Sequence, residues 1–342
     1  MKMLKKLNAN YGMDAPDYGS FRLQMNGTDL TDSQSKIFLS VIAELSEANV
    51  RIVYRGDKKN KAVEKFNLTV QAIPHGFNDY IFLFGEKGRY FLKEKITTAG
   101  TNTYGITDTS EGFLTVIFDM LHAIFTRDRY AFPVKASLDK FKKDHPEFIK
   151  YFINEDNKKD FVSRITSADR RVRIRARDYY LTLLHHFGKN EFYPVSFLLS
   201  ATTSFQVAQK YVAKEITDEN DIIFFGWVPL GQRTILYTWT NHWREKIVNE
   251  LGLPTFSRSI YPNQQEISLK GGLLAHYTIG YLYTRNGQKH FEVNPWLFEI
   301  REENWPKNGF PVDQHSFDER IKDTLLKRAF FIDNDGDYGE YW

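Results

Sequence analysis

Residues 48–57 read Ala48-Asn49-Val50-Arg51-Ile52-Val53-Tyr54-Arg55-Gly56-Asp57. The stretch 50–55 alternates as a strand does, with Val50, Ile52 and Tyr54 toward one side and Arg51, Val53 and Arg55 toward the other. It closes on a permanently charged guanidinium followed by the residue that lets backbone approach closely. Two readings of Tyr54-Arg55-Gly56 are open. In one, the chain turns into solvent and Arg55 is solvated or salt-bridged. In the other, the three residues clamp a phosphate.

Before this strand, residues 29–49 (DLTDSQSKIFLSVIAELSEAN) carry helical spacing, with Ile37, Phe38, Val41, Ile42 and Leu45 on one stripe. Thr31 and Gln34 stand three apart, as a capping box requires. After it, residues 66–95 hold two or three β-like runs, among them DYIFLFG (79–85) and GRYFLKEK (88–95).

The block from about 110 to 190 changes character and reads as helical throughout. Phe113, Leu114, Ile117, Met120, Leu121 and Ile124 keep register in EGFLTVIFDMLHAIF, and SLDKFKKDHPEFIKYFI (137–153) and DRRVRIRARDYYLTLLHHFG (169–188) follow, with Gly188 as a stop. The second half returns to strands: PVSFLLS, DIIFFGWV, RTILYTW, EISLKGGLLAHYTIGYLY and WLFEIRE. Two helices interrupt them, SFQVAQKYVAKE and NHWREKIVNELG. The expected fold class is therefore α+β, with a split mixed β-sheet and a helical insertion at about 110–190. An N-terminal extension is expected over 1–30, a single domain over 31–305, and a polar C-terminal tail over 306–342.

Composition narrows the chemistry. With 42% hydrophobic and 26% charged residues, the 342-residue chain has an ordinary globular core. Its 28 Phe and 19 Tyr suit β-sheet and aromatic-lined pockets. The formal net charge of +3 supplies no strong global field for nucleic acid, so any such binding needs a local patch. The absence of cysteine excludes disulfides, thiolate zinc sites and a Cys nucleophile. The start, MKMLKKLNAN, has no apolar run of signal-peptide length, and no stretch approaches a membrane span. A cytoplasmic protein with no membrane partner is expected. No metal is expected either. The DNDGD run at 333–337 has its glycine misplaced for a calcium loop, no H-E-x-x-H occurs, and the adjacent His185 and His186 direct their rings differently on a helix.

Three separated stretches carry polar residues suited to a site. They are Tyr54-Arg55-Gly56; FLLSATTSFQVAQKYV (197–212), with Thr202, Thr203, Ser204 and Tyr211; and YPNQQEISLKGG (261–272), with Gln264 and Glu266 two apart. Ser204 also stands where a helix N-cap belongs. In this order the three resemble the ADP-ribosyltransferase superfamily, which is marked by an Arg on an early strand, a Ser-Thr-Ser strand and a late Glu preceded at two residues by Glu or Gln. Arg55, Thr202-Thr203-Ser204 and Gln264/Glu266 match those marks, with Thr in place of the leading Ser. A second resemblance, to the FRG domain, rests on Tyr54-Arg55-Gly56, on His186-Phe187-Gly188 and on the following strand and helix. The usual Pro-Thr-Arg after that histidine motif is absent. Roughly 150 residues separate Arg55 from Thr202, which the helical insertion accounts for.

The resemblance implies NAD as co-substrate and transfer of ADP-ribose to an acceptor, RNA, DNA or protein. Glu266 would hold a ribose hydroxyl and face the developing cation. Gln264 would position the acceptor, and Thr202 and Ser204 would orient Glu266. Arg55 would bind the diphosphate, with Gly56 allowing close approach and Tyr54 completing the motif. Tyr211 or Tyr261 would stack on nicotinamide. His186 either lines the site or is a plain helix-end histidine. Arg171, Arg173, Arg175 and Arg177 offer a phosphate-binding patch, or else form a solvated helix face paired with Asp169 and Asp178. Bacterial transferases of this type are often toxins or antiviral effectors with an inhibitor or antitoxin partner. NAD hydrolysis without transfer, and a non-catalytic RNA- or protein-binding module on the same scaffold, are the alternatives.

Overall fold

A computed structural model of the chain describes residues 16–47, 50–65, 76–84, 96–98, 102–104, 108–127, 134–187, 198–212, 218–229, 235–237, 242–256, 264–270, 273, 278–295 and 297–298. The stretch that opened the sequence reading forms β3 (Val50–Lys58), which runs through the middle of a mixed sheet. Its neighbours are β7 (Asp221–Pro229) on one side and β6 (Leu198–Thr202) on the other. The other strands of this sheet are β1 (Arg22–Met25), β2 (Thr28–Asp29), β8 (Ile235–Tyr237), β9 (Glu266–Lys270), β10 (Thr278–Arg285) and β11 (Gln288–Val293). The order among the described residues is β2-β1-β11-β10-β7-β3-β6-β9-β8, with β1 and β11 parallel and the other pairs antiparallel. β4 (Ile96–Thr98) and β5 (Asn102–Tyr104) form a separate hairpin.

The sheet is split where the site lies. β3 pairs with β7 along its whole length, from Val50↔Pro229 to Lys58↔Asp221. It meets β6 at one position only, Tyr54↔Thr202. Beyond that contact the two halves diverge and leave room between them.

The helices are α1 (Asp32–Glu47), α2 (Lys59–Lys65), α3 (Phe77–Phe84), α4 (Glu111–Thr126), α5 (Val134–Asp144), α6 (Pro146–Ile153), α7 (Asn157–Thr166), α8 (Arg170–Phe187), α9 (Phe205–Val212) and α10 (His242–Glu250). The capping box ahead of α1 forms in both directions. Gln34 N donates to Thr31 Oγ1, and Thr31 N donates to Gln34 Oε1. In α4, Ser110 caps the N-terminus, and Phe113, Leu114, Ile117, Leu121 and Ile124 are buried. They join an aromatic cluster that includes Phe118, Phe148, Phe152, Phe161 and Tyr180. Against this cluster α8 is buried from Ala176 to Phe187, which carries its C-terminal histidines into the protein interior.

Several expectations need correction. DYIFLFG is not a strand: residues 77–84 are helical, and Ile81 and Phe82 pack inward. A short apolar run has no period that separates helix from strand. Residues 22–29, within the expected extension, form β1 and the edge strand β2, joined by a turn at Asn26-Gly27 with φ of 52° and 74°. The same turn chemistry at Asn286-Gly287 creates β11, which the periodicity reading passed over. The helix expected over 137–153 breaks at His145 because Pro146 can begin a helix but not continue one. Of WLFEIRE, residues 297–298 are helical. GRYFLKEK, Gly188, Tyr261 and the 306–342 tail lie outside the described residues.

Candidate functional site

Tyr54, Thr202 and Glu266 form one row across β3, β6 and β9, since Tyr54 pairs with Thr202 and Thr202 with Glu266. At this row a cleft of about 610 Å³ opens between the sheet halves. Arg55, Gly56, Thr202, Gln264, Glu266, Tyr211 and His186 all line it, as does Tyr54. The three stretches singled out in the sequence thus converge on one cavity. Ser204 does not line it. Its Oγ accepts from Val207 N at 3.3 Å, the helix-capping alternative for this residue.

Glu266 sits at the buried end of the cleft, 6% exposed. Its Oε2 lies 2.8 Å from His186 Nε2, and its Oε1 lies 3.4 Å from Ser268 Oγ and 3.9 Å from His185 Nε2. His186 Nδ1 lies 2.6 Å from Thr182 O. A carbonyl only accepts, so Nδ1 carries a proton, and an Nε2 proton must bridge to the carboxylate. Burial alone pushes the Glu266 carboxyl up. The charge and hydrogen bond of His186, then His185 and Ser200, outweigh it and hold the group down at about 2.

The turn ahead of Glu266 is latched to the end of β6. Thr202 Oγ1 donates to Gln264 O at 2.7 Å and accepts from Ser204 N at 3.1 Å. Thr203 N donates to Gln265 O, and its Oγ1 donates to Gln265 Oε1. Gln265 has φ of 45°, a left-handed conformation unusual for this residue, and the latch holds it there. The Thr202 hydroxyl thus holds the backbone of the turn two residues ahead of Glu266.

The strand does not close at Arg55 as expected but continues to Lys58, so Tyr54, Arg55 and Gly56 lie within it. Arg55 is nearly buried. Its guanidinium donates to Ser200 O at 2.7 Å and to Asp57 Oδ2 at 2.9 Å, so it spans the split between β3 and β6. Gly56 lines the cleft and is also needed for packing. A Cβ there would stand 2.2 Å from Ala208 O and 2.5 Å from Val212 Cγ2, so only glycine lets α9 lie on β3. The Tyr54 ring packs between Phe205 and Phe225 in the core. Tyr211, by contrast, is 61% exposed beside the cleft and presents an accessible ring.

The sequence reading gave no site role to His185, Asp57, Lys58 and Lys61, nor a specific one to Ser200, and all of them line the cleft. His185 and His186 do set their rings 88° apart, yet both reach the same carboxylate. Helical position says where a ring starts, and a long side chain can still converge. Lys58 pairs with Asp221. Lys61 is exposed at the rim, and no carboxylate lies within ion-pair distance of it among the described residues.

The arginine run does not form a single patch. Arg177 is fully buried, held by Asp178 at 2.6 Å and by Asp108 O at 2.7 Å, so it cannot meet a phosphate. Arg173 Nε donates to Ala168 O. Arg171 is exposed and Arg175 is half-buried. Among the described residues no cluster of His, Asp or Glu suits a metal ion, and no helix is long and apolar enough to cross a membrane. No family model, curated protein or solved structure matches the chain.

Proposed function

We propose that the chain is an NAD-dependent mono-ADP-ribosyltransferase acting on a macromolecular acceptor. The observation that supports this reading is the convergence of Arg55, Thr202 and Glu266, from three distant segments, on one cleft at a split sheet. The cleft volume falls in the roughly 300–1,000 Å³ range of small-molecule sites. It offers cations at one end, an exposed tyrosine and a buried carboxylate, a chemical complement to a diphosphate, a nicotinamide ring and a ribose.

In this reading the bond between ribose C1′ and the nicotinamide nitrogen breaks, and its electron pair leaves with nicotinamide. Positive charge grows on the ribose. Glu266, kept ionised by His186, opposes that charge, and a fixed carboxylate stabilises the transition state more than the ground state. Arg55 braces the cleft wall, and Lys61, which forms no ion pair with a carboxylate among the described residues, offers the diphosphate a charge. Tyr211 supplies the stacking face. The acceptor nucleophile then bonds to C1′ and gives up its proton.

Purified protein incubated with adenine-labelled NAD and cell extract tests the reading. Label should enter a macromolecule as nicotinamide is released, and Glu266→Gln should slow release about 10²–10³-fold. Free labelled ADP-ribose with no labelled macromolecule would make the chain a hydrolase. No nicotinamide release would leave a binding module.

A further inference from the structure

Lys58, the last residue of β3, lines the cleft just described, whereas its neighbour Lys59 lines a different cavity of about 620 Å³. This second cavity lies between the Asn26-Gly27 turn, the start of α3, and strands β10 and β11, and shares no lining residue with the first.

Its walls carry two under-compensated charged groups. Lys59 is half-buried, and its Nζ stands 5.0 Å from the centre of the Phe77 ring, with no carboxylate within ion-pair distance among the described residues. Burial pushes its pKa down, helped by the Arg285 charge, and outweighs the charges of Glu219 and Glu292, neither of which is close enough to form an ion pair. Glu292 is 2% exposed and accepts from Gly27 N at 3.1 Å; burial pushes its carboxyl up and outweighs the Gly27 and Asn26 N–H groups and the Lys59 and Arg285 charges. Between them stands an aromatic wall in which Phe77 and Tyr281 meet edge to face at 5.3 Å. The other cation of the cavity, Arg285, is already forked onto Glu219 at 2.6 and 3.0 Å.

A cavity with an ammonium and a carboxyl that do not pair with each other suits a two-ended ligand. A bare anion would satisfy Lys59 and meet Glu292 as a like charge. An apolar molecule would satisfy neither and leave both desolvated. A molecule with an anionic end, a flat ring and N–H donors at its far edge satisfies all three walls. We propose that this cavity is a second ligand site, for a nucleoside phosphate, with the phosphate on Lys59, the base against Phe77 and Tyr281, and a base N–H donating to Glu292. The proposal does not rest on the NAD reading of the first cleft.

The test is calorimetric titration of the full chain, using adenosine and guanosine 5′-monophosphates and inorganic phosphate as probes. One nucleotide should bind per chain. Lys59→Ala should weaken it at least about tenfold, the loss of one charge-assisted contact, while Lys61→Ala should leave it unchanged. Glu292→Gln, which keeps shape and the Gly27 hydrogen bond, should weaken it several-fold. No nucleotide binding at millimolar concentration would overturn the proposal. So would binding indifferent to Lys59 and Glu292, binding that follows Lys61 instead, or inorganic phosphate binding as tightly as the nucleotides. Failure of the NAD reading would show separately, as absence of nicotinamide release by the unsubstituted chain.

Discussion

Glu266 Oε2 and His186 Nε2 lie 2.8 Å apart, joining the first residue of β9 to the end of α8 across 80 residues of sequence. A buried carboxylate is costly unless a partner replaces its water. Here the partner is fixed in turn by Thr182 O, so the helical block sets both the position and the charge of the group at the base of the cleft. The block is part of the site rather than an appendage to it.

His186→Leu should destabilise the protein by about 3–5 kcal/mol at pH 7, because it strands a buried carboxylate. The sign with pH is specific. In the native protein the Glu266 carboxyl is depressed to about 2, below its ordinary value of 4.5, so its contribution is complete above about 4.5 and is lost as pH falls toward 2. In the variant burial, the largest single influence, is opposed only by His185 and Ser200, so the carboxyl rises from its native value. Urea unfolding at pH 7 and pH 5 should show the gap between the two proteins narrowing as pH falls.

Gly56→Ala should lower stability by about 1–3 kcal/mol through overpacking against the Ala208 carbonyl, which cannot swing aside as a side chain could. Thermal melting reads the loss. A melting temperature equal to that of the parent would show that α9 is free to move off β3.

Lys61→Ala should raise the KM for NAD about tenfold with little change in kcat or melting temperature. Lys61 is exposed and makes no ion pair with the described residues, so its loss removes only a ligand contact. Raising the salt concentration should shrink the difference between variant and parent.

Arg177→Met should show whether the arginine run is structural at its end. Removing one member of the buried Arg177–Asp178 pair should cost about 3–5 kcal/mol, read by urea unfolding. Any binding of RNA should keep the same salt slope, since a buried guanidinium releases no counterion from nucleic acid.

Much of this molecule was legible in its sequence. The strand over 50–55, the capped helix after Thr31 and the helical block follow from local periodicity and end signals, which act over a few residues, whereas the strand's continuation to Lys58 comes from its pairing with β7. The residue types of the cleft were legible too, because a guanidinium, hydroxyls and a carboxylate at strand ends stand out against apolar runs. Only the tertiary structure decided what those groups touch. That Gly56 admits a helix, that Arg55 spans the split to Ser200 O, that two adjacent histidines reach one carboxylate and that Arg177 is buried all depend on contacts between segments far apart in the chain. Local pattern sets the direction in which a side chain leaves the backbone. Burial and long-range packing set what it meets, and therefore its charge and its chemistry.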